Sequence, residues 1–172
     1  QYTRKIMGDP DKALVIGKMP LGCIYCFKGL KAVIFITGLC DDKCYYCPLS
    51  EIRRGDVVFV NEEKVDSIDE IIRVIDLLGQ TSASITGGDP LSKPERTLEA
   101  INALKEYFGE SFHIHLYTTG RYATLDILKL LDKKGLDEIR FHPTSRLYLK
   151  RVEQAVKNTS MSVGVEIPVV PG

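Results

Sequence analysis

The chain has 172 residues, 44% of them apolar and 27% charged, and its 23 basic side chains are matched by 23 acidic ones. That balance fits one globular domain with a substantial core and argues against broad attraction to nucleic acid or an anionic membrane. No apolar run approaches the ~20 residues that span a bilayer, and the polar N-terminus shows no signal-peptide stretch.

Residues 1–31 carry Gly8, Pro10, Gly17, Pro20, Gly22 and Gly29 with little periodicity, which predicts an N-terminal extension built of loops. The punctuation then becomes regular. Ala32–Thr37 is a short apolar run ended by Gly38, the mark of a buried strand. Ser67 and Glu70 form a capping-box pattern. Behind it Ile68, Ile71, Ile72, Ile75 and Leu78 follow helical spacing up to Gly79. Ser82–Thr86 reads as a strand ending in Gly87-Gly88. Ser92 and Glu95 suggest a second capping box, with Pro94 in the first turn of a helix that runs to Gly109. Phe112–Tyr117 is the next strand, Thr124–Lys134 a helix closed by Gly135, Glu138–His142 a strand, Leu147–Lys157 a helix, and Ser162–Ile167 the last strand.

Five strands alternating with four helices define an α/β protein with a parallel sheet. Right-handed crossovers would curl such a series into a barrel or an open sheet. Strand alternation predicts one apolar face, from Ile85, Ile114, Leu116, Ile139, Phe141, Val163, Val165 and Ile167, turned toward the helices. The opposite face is polar: Ser84, Thr86, His113, His115, Tyr117, Arg140, His142 and Glu166. A flat sheet covered on both sides would need two apolar faces, and a filled eight-stranded barrel would carry branched apolar residues inside. A polar inner face suits a wide or open barrel around a polar ligand. His115, Tyr117, Arg140 and His142 are expected to line one continuous cavity. Arg140 and Glu166 could equally pair across the lumen as structural charges.

Five cysteines cannot all pair within the chain, and they fall in two tight groups. Cys40, Cys44 and Cys47 follow the first strand, at the mouth where barrel active sites lie. Soft thiolates select iron–sulfur clusters, zinc or Cu(I). Structural zinc wants four ligands, whereas three thiolates leave one iron of a cubane open to another ligand. Cys23 and Cys26 form half of a metal knuckle. Two further ligands would have to come from a C-terminal region or a second chain; otherwise they are a pair of reduced thiols. Clustered ligand-like thiols need a reducing compartment, so a cytoplasmic setting is expected.

Cys40-x3-Cys44-x2-Cys47, with an aromatic residue at Tyr46, resembles the signature of the radical S-adenosylmethionine (SAM) enzymes. Gly87-Gly88-Asp89-Pro90 resembles their Gly-Gly-Glu-Pro, with Asp in place of Glu. Tyr117-Thr118-Thr119-Gly120 resembles their Asp-Thr-Asn-Gly. Glu166-Ile167-Pro168-Val169-Val170-Pro171-Gly172 is similar to the fifth-strand Arg-Ile-Pro-Leu-Ile-Pro-Gly of glycyl-radical activating enzymes, relatives of the pyruvate formate-lyase activating enzyme. The resemblance covers roughly residues 32–172.

It implies a partial (β/α)6 barrel, with residues 1–31 as an extension and 32–172 as the core, and with a sixth strand expected beyond Gly172. Gln1 in place of Met and the closing Pro171-Gly172 suggest a trimmed or partial chain. It also implies a [4Fe–4S] cluster on Cys40, Cys44 and Cys47, and SAM against Tyr46, Gly87, Gly88, Asp89, Tyr117, Thr119, Arg140, His142 and Glu166. Asp89 is expected to accept a hydrogen bond from the methionine ammonium, and His142 to lie nearest the ribose. In this family an electron from the cluster cleaves SAM to methionine and a 5′-deoxyadenosyl radical, which takes a hydrogen atom from the substrate; a ferredoxin or flavodoxin would supply the electron. The final substrate is not legible. The alternative from another class is an iron–sulfur or zinc binding domain of the same fold without SAM turnover.

Overall fold

The computed structural model describes residues 6–9 and 13–169; the last three residues of the proline-rich segment, 170–172, lie outside them. The described residues of the stretch 1–31 include regular elements that its glycines and prolines did not suggest. Ile6–Asp9 (β1) pairs antiparallel with Ala13–Ile16 (β2), and Leu21–Phe27 forms a helix (α1). A seven-residue helix is too short to show a periodic apolar face, which is why pattern reading took it for loop.

From Lys31 the chain alternates strand and helix, with one addition. After β3 (Lys31–Thr37) a hairpin of β4 (Val58–Val60) and β5 (Glu63–Val65) joins the sheet antiparallel, at three residues per strand too short to register as alternation. Then follow α2 (Ile68–Leu77), β6 (Ser82–Gly87), α3 (Pro94–Phe108), β7 (His113–Thr118), α4 (Leu125–Lys133), β8 (Glu138–Phe141), α5 (Leu149–Asn158) and β9 (Ser162–Val165). The sheet order is β5-β4-β3-β6-β7-β8-β9, with β3, β6, β7, β8 and β9 mutually parallel. Among the described residues the sheet is open, with β5 and β9 at its edges, so these strands do not by themselves close a barrel.

Local chemistry explains the helix starts. Ser67 Oγ accepts from Glu70 N at 3.2 Å, while the Glu70 carboxylate accepts from Asp66 N at 2.7 Å, one residue earlier than a strict capping box. The second expected box does not form. Ser92 Oγ donates to the Leu39 carbonyl at 3.3 Å instead, and α3 starts at Pro94, whose fixed φ and missing N–H suit that position. A 3-10 turn, Pro90–Ser92, intervenes, capped by the Asp89 side chain.

The alternation holds in β3, β6, β7 and β8 but only weakly in the edge strand β9, where Val163 is half-buried and Val165 exposed. Ala32, Ile34, Ile36, Ala83, Ile85, Ile114, Leu116, Ile139 and Phe141 are all buried, on the face over which α2 to α5 pack. Each large aliphatic or aromatic side chain so buried contributes about 1.5–3 kcal/mol. The other face is polar, and the register stacks its residues in rows across the sheet. Ser84, His115, Glu138 and Ser162 form one row, and Tyr117, Arg140 and Gly164 the next. Helix α1 lies on this polar face. A Cβ on its Gly22 would stand 2.6 Å from His115 Nδ1, 3.0 Å from the Glu138 carboxylate and 3.2 Å from Arg140 Nη2, so only glycine lets the helix approach this closely.

Candidate functional site

The carboxyl ends of the parallel strands surround a cavity of about 520 Å³. The cysteine loop after β3 supplies Cys40, Cys44, Tyr46 and Cys47 to its wall; β6 ends there in Gly87-Gly88, and β7 in Tyr117 and Thr119. His142 and Glu166, just past β8 and β9, complete it. Sequence reading missed Asp42, Pro48, Leu49, Thr118 and Pro168 on the same wall, and it turned Ile167 toward the helices, whereas β9 ends at Val165 and Ile167, beyond it, is exposed and lines the cavity. Thr86, read from alternation as an inner-face residue, also lies on this wall.

Glycines let the cysteine loop lie against the end of β6. A Cβ on Gly88 would sit 2.3 Å from the Leu39 carbonyl oxygen, and one on Gly87 2.2 Å from that of Thr37. Backbone hydrogen bonds then tie the segments together: Gly88 N donates to Thr37 O and Asp89 N to Leu39 O, each at 2.8 Å. The loop is also held from the β7 side. Arg121 donates twice to the Asp42 carboxylate, at 2.8 and 3.4 Å, and Tyr122 donates to Asp41.

Two candidate cofactor contacts, Asp89 and Arg140, do not line the cavity. Asp89 is buried and stands behind the cavity wall, with no carboxylate oxygen presented to it. Its carboxylate accepts from Leu91 N (3.0 Å), Thr118 Oγ1 (3.0 Å), Thr119 N (3.1 Å) and Thr119 Oγ1 (2.7 Å). Burial pushes its pKa up, against the pull of these donors. Asp89 therefore shapes the Thr118–Thr119 turn that faces the cavity.

Arg140 is the second. It lies beneath the cavity, next to α1, and is paired with Glu138. One Nη1 donates to Tyr117 Oη at 3.0 Å and to Glu166 at 3.3 Å; Nη2 donates to Cys23 Sγ at 3.2 Å. Burial works against its charge, but the bond to Glu138 and the neighbouring groups more than offset that, and its pKa is raised. Burial also pushes the Tyr117 hydroxyl up to about 12, so it stays a neutral phenol. The expected continuous cavity thus divides. Tyr117 and His142 line it, whereas Arg140 and the fully buried His115 belong to the part of the inner face that α1 covers. Glu138, which alternation places beside Arg140, was legible by the same rule and was passed over.

His142 bridges the mouth. Its Nδ1 stands 3.0 Å from the Glu166 carbonyl oxygen and its Nε2 2.7 Å from Tyr46 Oη. A carbonyl can only accept, so Nδ1 carries the proton and Nε2 accepts from the tyrosine hydroxyl. The pair straps the cysteine loop to the far side of the cavity, and both ring nitrogens of His142 are engaged.

The donor chemistry fits an iron–sulfur cluster. Three thiols, soft ligands of the kind such clusters take, share one wall of the cavity. Burial holds the Cys40 thiol above its usual pKa, so ligation there would release a proton.

A five-stranded parallel array with three cysteines after its first strand and Gly-Gly after its second defines the class, and the family profile agrees: residues 34–160 match the radical SAM superfamily, to which this chain belongs. The chain is 44% identical over 165 residues to a Methanocaldococcus jannaschii protein provisionally named a glycyl-radical enzyme activating enzyme, covering 90% of this chain and 44% of that one. A second protein of that organism with the same provisional name is 31% identical over 129 residues, covering 74% of this chain and 49% of that one. The GTP 3′,8-cyclase of Staphylococcus aureus is 27% identical over 150 residues, covering 78% and 44%. The chain thus spans less than half the length of these curated relatives.

Proposed function

We propose that the chain forms the radical SAM core of an enzyme whose [4Fe–4S] cluster is held by Cys40, Cys44 and Cys47. The observation that carries this reading is the meeting of three thiols, the Gly87-Gly88 strand end and the polar inner-face residues in one cavity. Its five parallel strands correspond to five of the six in a (β/α)6 barrel, and the free edge of β9 is where a sixth would pair. Residues 32–172 are taken as that core and 1–31 as an extension whose helix seals the amino-end half of the inner face.

The cluster, when bound, supplies the electron that cleaves SAM to methionine and a 5′-deoxyadenosyl radical. The residues of this chain bind and orient. Gly87 and Gly88 present backbone rather than side chain to the cavity, leaving room beside the thiols. Thr119, fixed by Asp89, and Tyr117, fixed by Arg140, offer polar contacts from β7. Tyr46 and His142 cover the mouth, and SAM contact by a His142 nitrogen requires that strap to open. Glu166, half exposed, faces the same space. A small reductant protein of the ferredoxin or flavodoxin class in the cytoplasm would deliver the electron. The relatives suggest that a glycyl-radical protein is the final substrate.

Anaerobic reconstitution with iron and sulfide, then dithionite and SAM, tests the reading. The expected result is 5′-deoxyadenosine, absent when SAM or dithionite is omitted. A protein that takes up four irons and yields none would instead be an iron–sulfur binding domain, and one that takes up only zinc would remove the cluster assignment.

A further inference from the structure

Cys23 and Cys26 are the cysteines the cavity does not use. They lie three residues apart on α1, Cys23 half-buried and Cys26 exposed. Cys23 opens into a crevice of about 300 Å³ between α1 and β9, bordered by Pro20, Leu21, Arg140 and Gly164. Its sulfur stands 3.2 Å from Arg140 Nη2. A guanidinium in that position repels a metal cation, so the half-knuckle is a poor start for a zinc or auxiliary cluster site. The same position stabilises a sulfur that carries or develops negative charge.

We propose that Cys23 and Cys26 form a redox-active dithiol that closes to a disulfide by exchange with a low-molecular-weight disulfide. Cys23, as thiolate, attacks one sulfur of the small disulfide through the crevice. A mixed disulfide forms and one thiolate leaves, taking a proton from water. Cys26 then loses its proton and attacks the Cys23 sulfur, releasing the second thiol. The balance is two protein thiols oxidised, one small disulfide reduced to two thiols, and two electrons transferred. Residues three apart on a helix hold their Cβ atoms about 5–6 Å apart, and a disulfide needs about 3.5–4.5 Å. Closure therefore tightens α1, which is short and ends in a turn with Gly29 at φ +69°.

Arg140 connects this pair to the cavity. The guanidinium that meets Cys23 also holds Tyr117 Oη and Glu166. Closing the disulfide turns the sulfur at one end of that fork into a neutral disulfide sulfur, while Glu138 keeps the other side paired. The dithiol is thus one side chain away from the cavity wall, and its chemistry does not depend on the cluster.

Trypsin releases Met19–Lys28 as one peptide with both cysteines, so the test can be read locally. The full chain is equilibrated anaerobically in mixtures of reduced and oxidised glutathione, acid-quenched, alkylated and digested. The expected result is a Met19–Lys28 peptide two hydrogens lighter and unalkylated, its share rising with the oxidised fraction. Cys26→Ser should stop at a glutathione adduct on Cys23. In samples quenched at intervals after addition of oxidised glutathione, Arg140→Met, checked for folding by circular dichroism, should slow closure about tenfold, the scale of one charged partner to the attacking sulfur. If Arg140→Met does not fold, Cys26→Ser still decides the matter. A peptide alkylated at both cysteines across the whole series overturns the proposal. So does one stoichiometric zinc that is held by the unmodified chain and lost in Cys26→Ser. No readout involves iron or SAM, so failure here is separable from failure of the cluster assignment.

Discussion

The polar inner face of the sheet has two halves, built from the same alternation and put to opposite uses. Toward the carboxyl ends, Thr86, Tyr117 and the residues past β8 and β9 open onto a cavity large enough for a cofactor. Toward the amino ends, Ser84, His115, Glu138 and Arg140 are buried under α1, with Gly22 pressed against three of them. Strand periodicity determines which side of the sheet a residue occupies, but not whether that side is open there. A short helix supplied by the preceding segment decides it.

Single substitutions can break the two halves separately. The largest effect belongs to the open half. Cys44→Ala should abolish the brown charge-transfer absorption of reconstituted protein and all SAM cleavage, since thiolates are the proposed protein ligands, while circular dichroism stays unchanged. Retention of four irons and activity would remove the assignment. The covered half should respond in the opposite manner. In Gly22→Val the new Cβ would lie 2.6 Å from His115 Nδ1, an overpacking that costs about 1–3 kcal/mol or more. For a chain of this size that lowers Tm by about 2–4 °C per kcal/mol. Iron content per folded chain should hold. An unchanged Tm would mean that α1 does not seat on the sheet.

The halves also differed in legibility. The upper half was readable because its residues sit at strand ends in motifs, where backbone geometry demands particular types: glycine where Leu39 and Thr37 approach, cysteine where a soft metal centre is expected. The five parallel strands and most of their apolar face followed from periodicity over four to seven residues per strand. Two kinds of feature were not readable. The hairpin β4–β5 and helix α1 are too short to carry a period. And the direction of a side chain within a site depends on partners distant in sequence: Asp89 turned to the Thr118–Thr119 turn, and Arg140 to Glu138 and Cys23. The Asp89 and Cys23 partnerships leave no trace in local spacing; Glu138 alone, two residues from Arg140 on the same strand face, does.

The covered half should also show itself in acid. Burial, with help from Lys31, Arg140 and His113, lowers the His115 pKa to about 3, and among the described residues neither ring nitrogen has a hydrogen-bond partner. A folded pKa below the unfolded 6.5 means that the unfolded chain binds the proton first. The contribution to stability is complete above pH 6.5 and is lost as pH falls toward 3, at up to about 1.4 kcal/mol per pH unit. His113, also lowered by burial, adds in the same direction. The variant His115→Leu should therefore show a shallower loss of stability between pH 6.5 and pH 4 than the parent, by urea titration at each pH. Parallel acid limbs would place His115 in contact with water.

The smallest expected effect returns to the open half and separates holding the cysteine loop from ligating through it. Arg121 clamps Asp42, two residues after Cys40, and lies over the Tyr148 ring with its guanidinium 5.7 Å from the centroid. The Asp42 side chain is largely covered but that of Arg121 is partly solvated, so solvent screens much of the attraction. Tyr122 keeps its own bond to Asp41 when Arg121 is removed. Arg121→Ala should therefore fold normally and assemble the cluster. The loop would sample positions in which the thiols stand away from the iron more often, so iron loss to a chelator should be about two- to fivefold faster, the scale of one screened ion pair. Salt offers the internal control. Raising ionic strength to about 1 M shortens the screening length to about 3 Å, which should speed iron loss from the parent and leave Arg121→Ala nearly unchanged, so that the two rates converge. Equal rates at low salt would show that the loop is held by its glycine and backbone contacts to β6 alone.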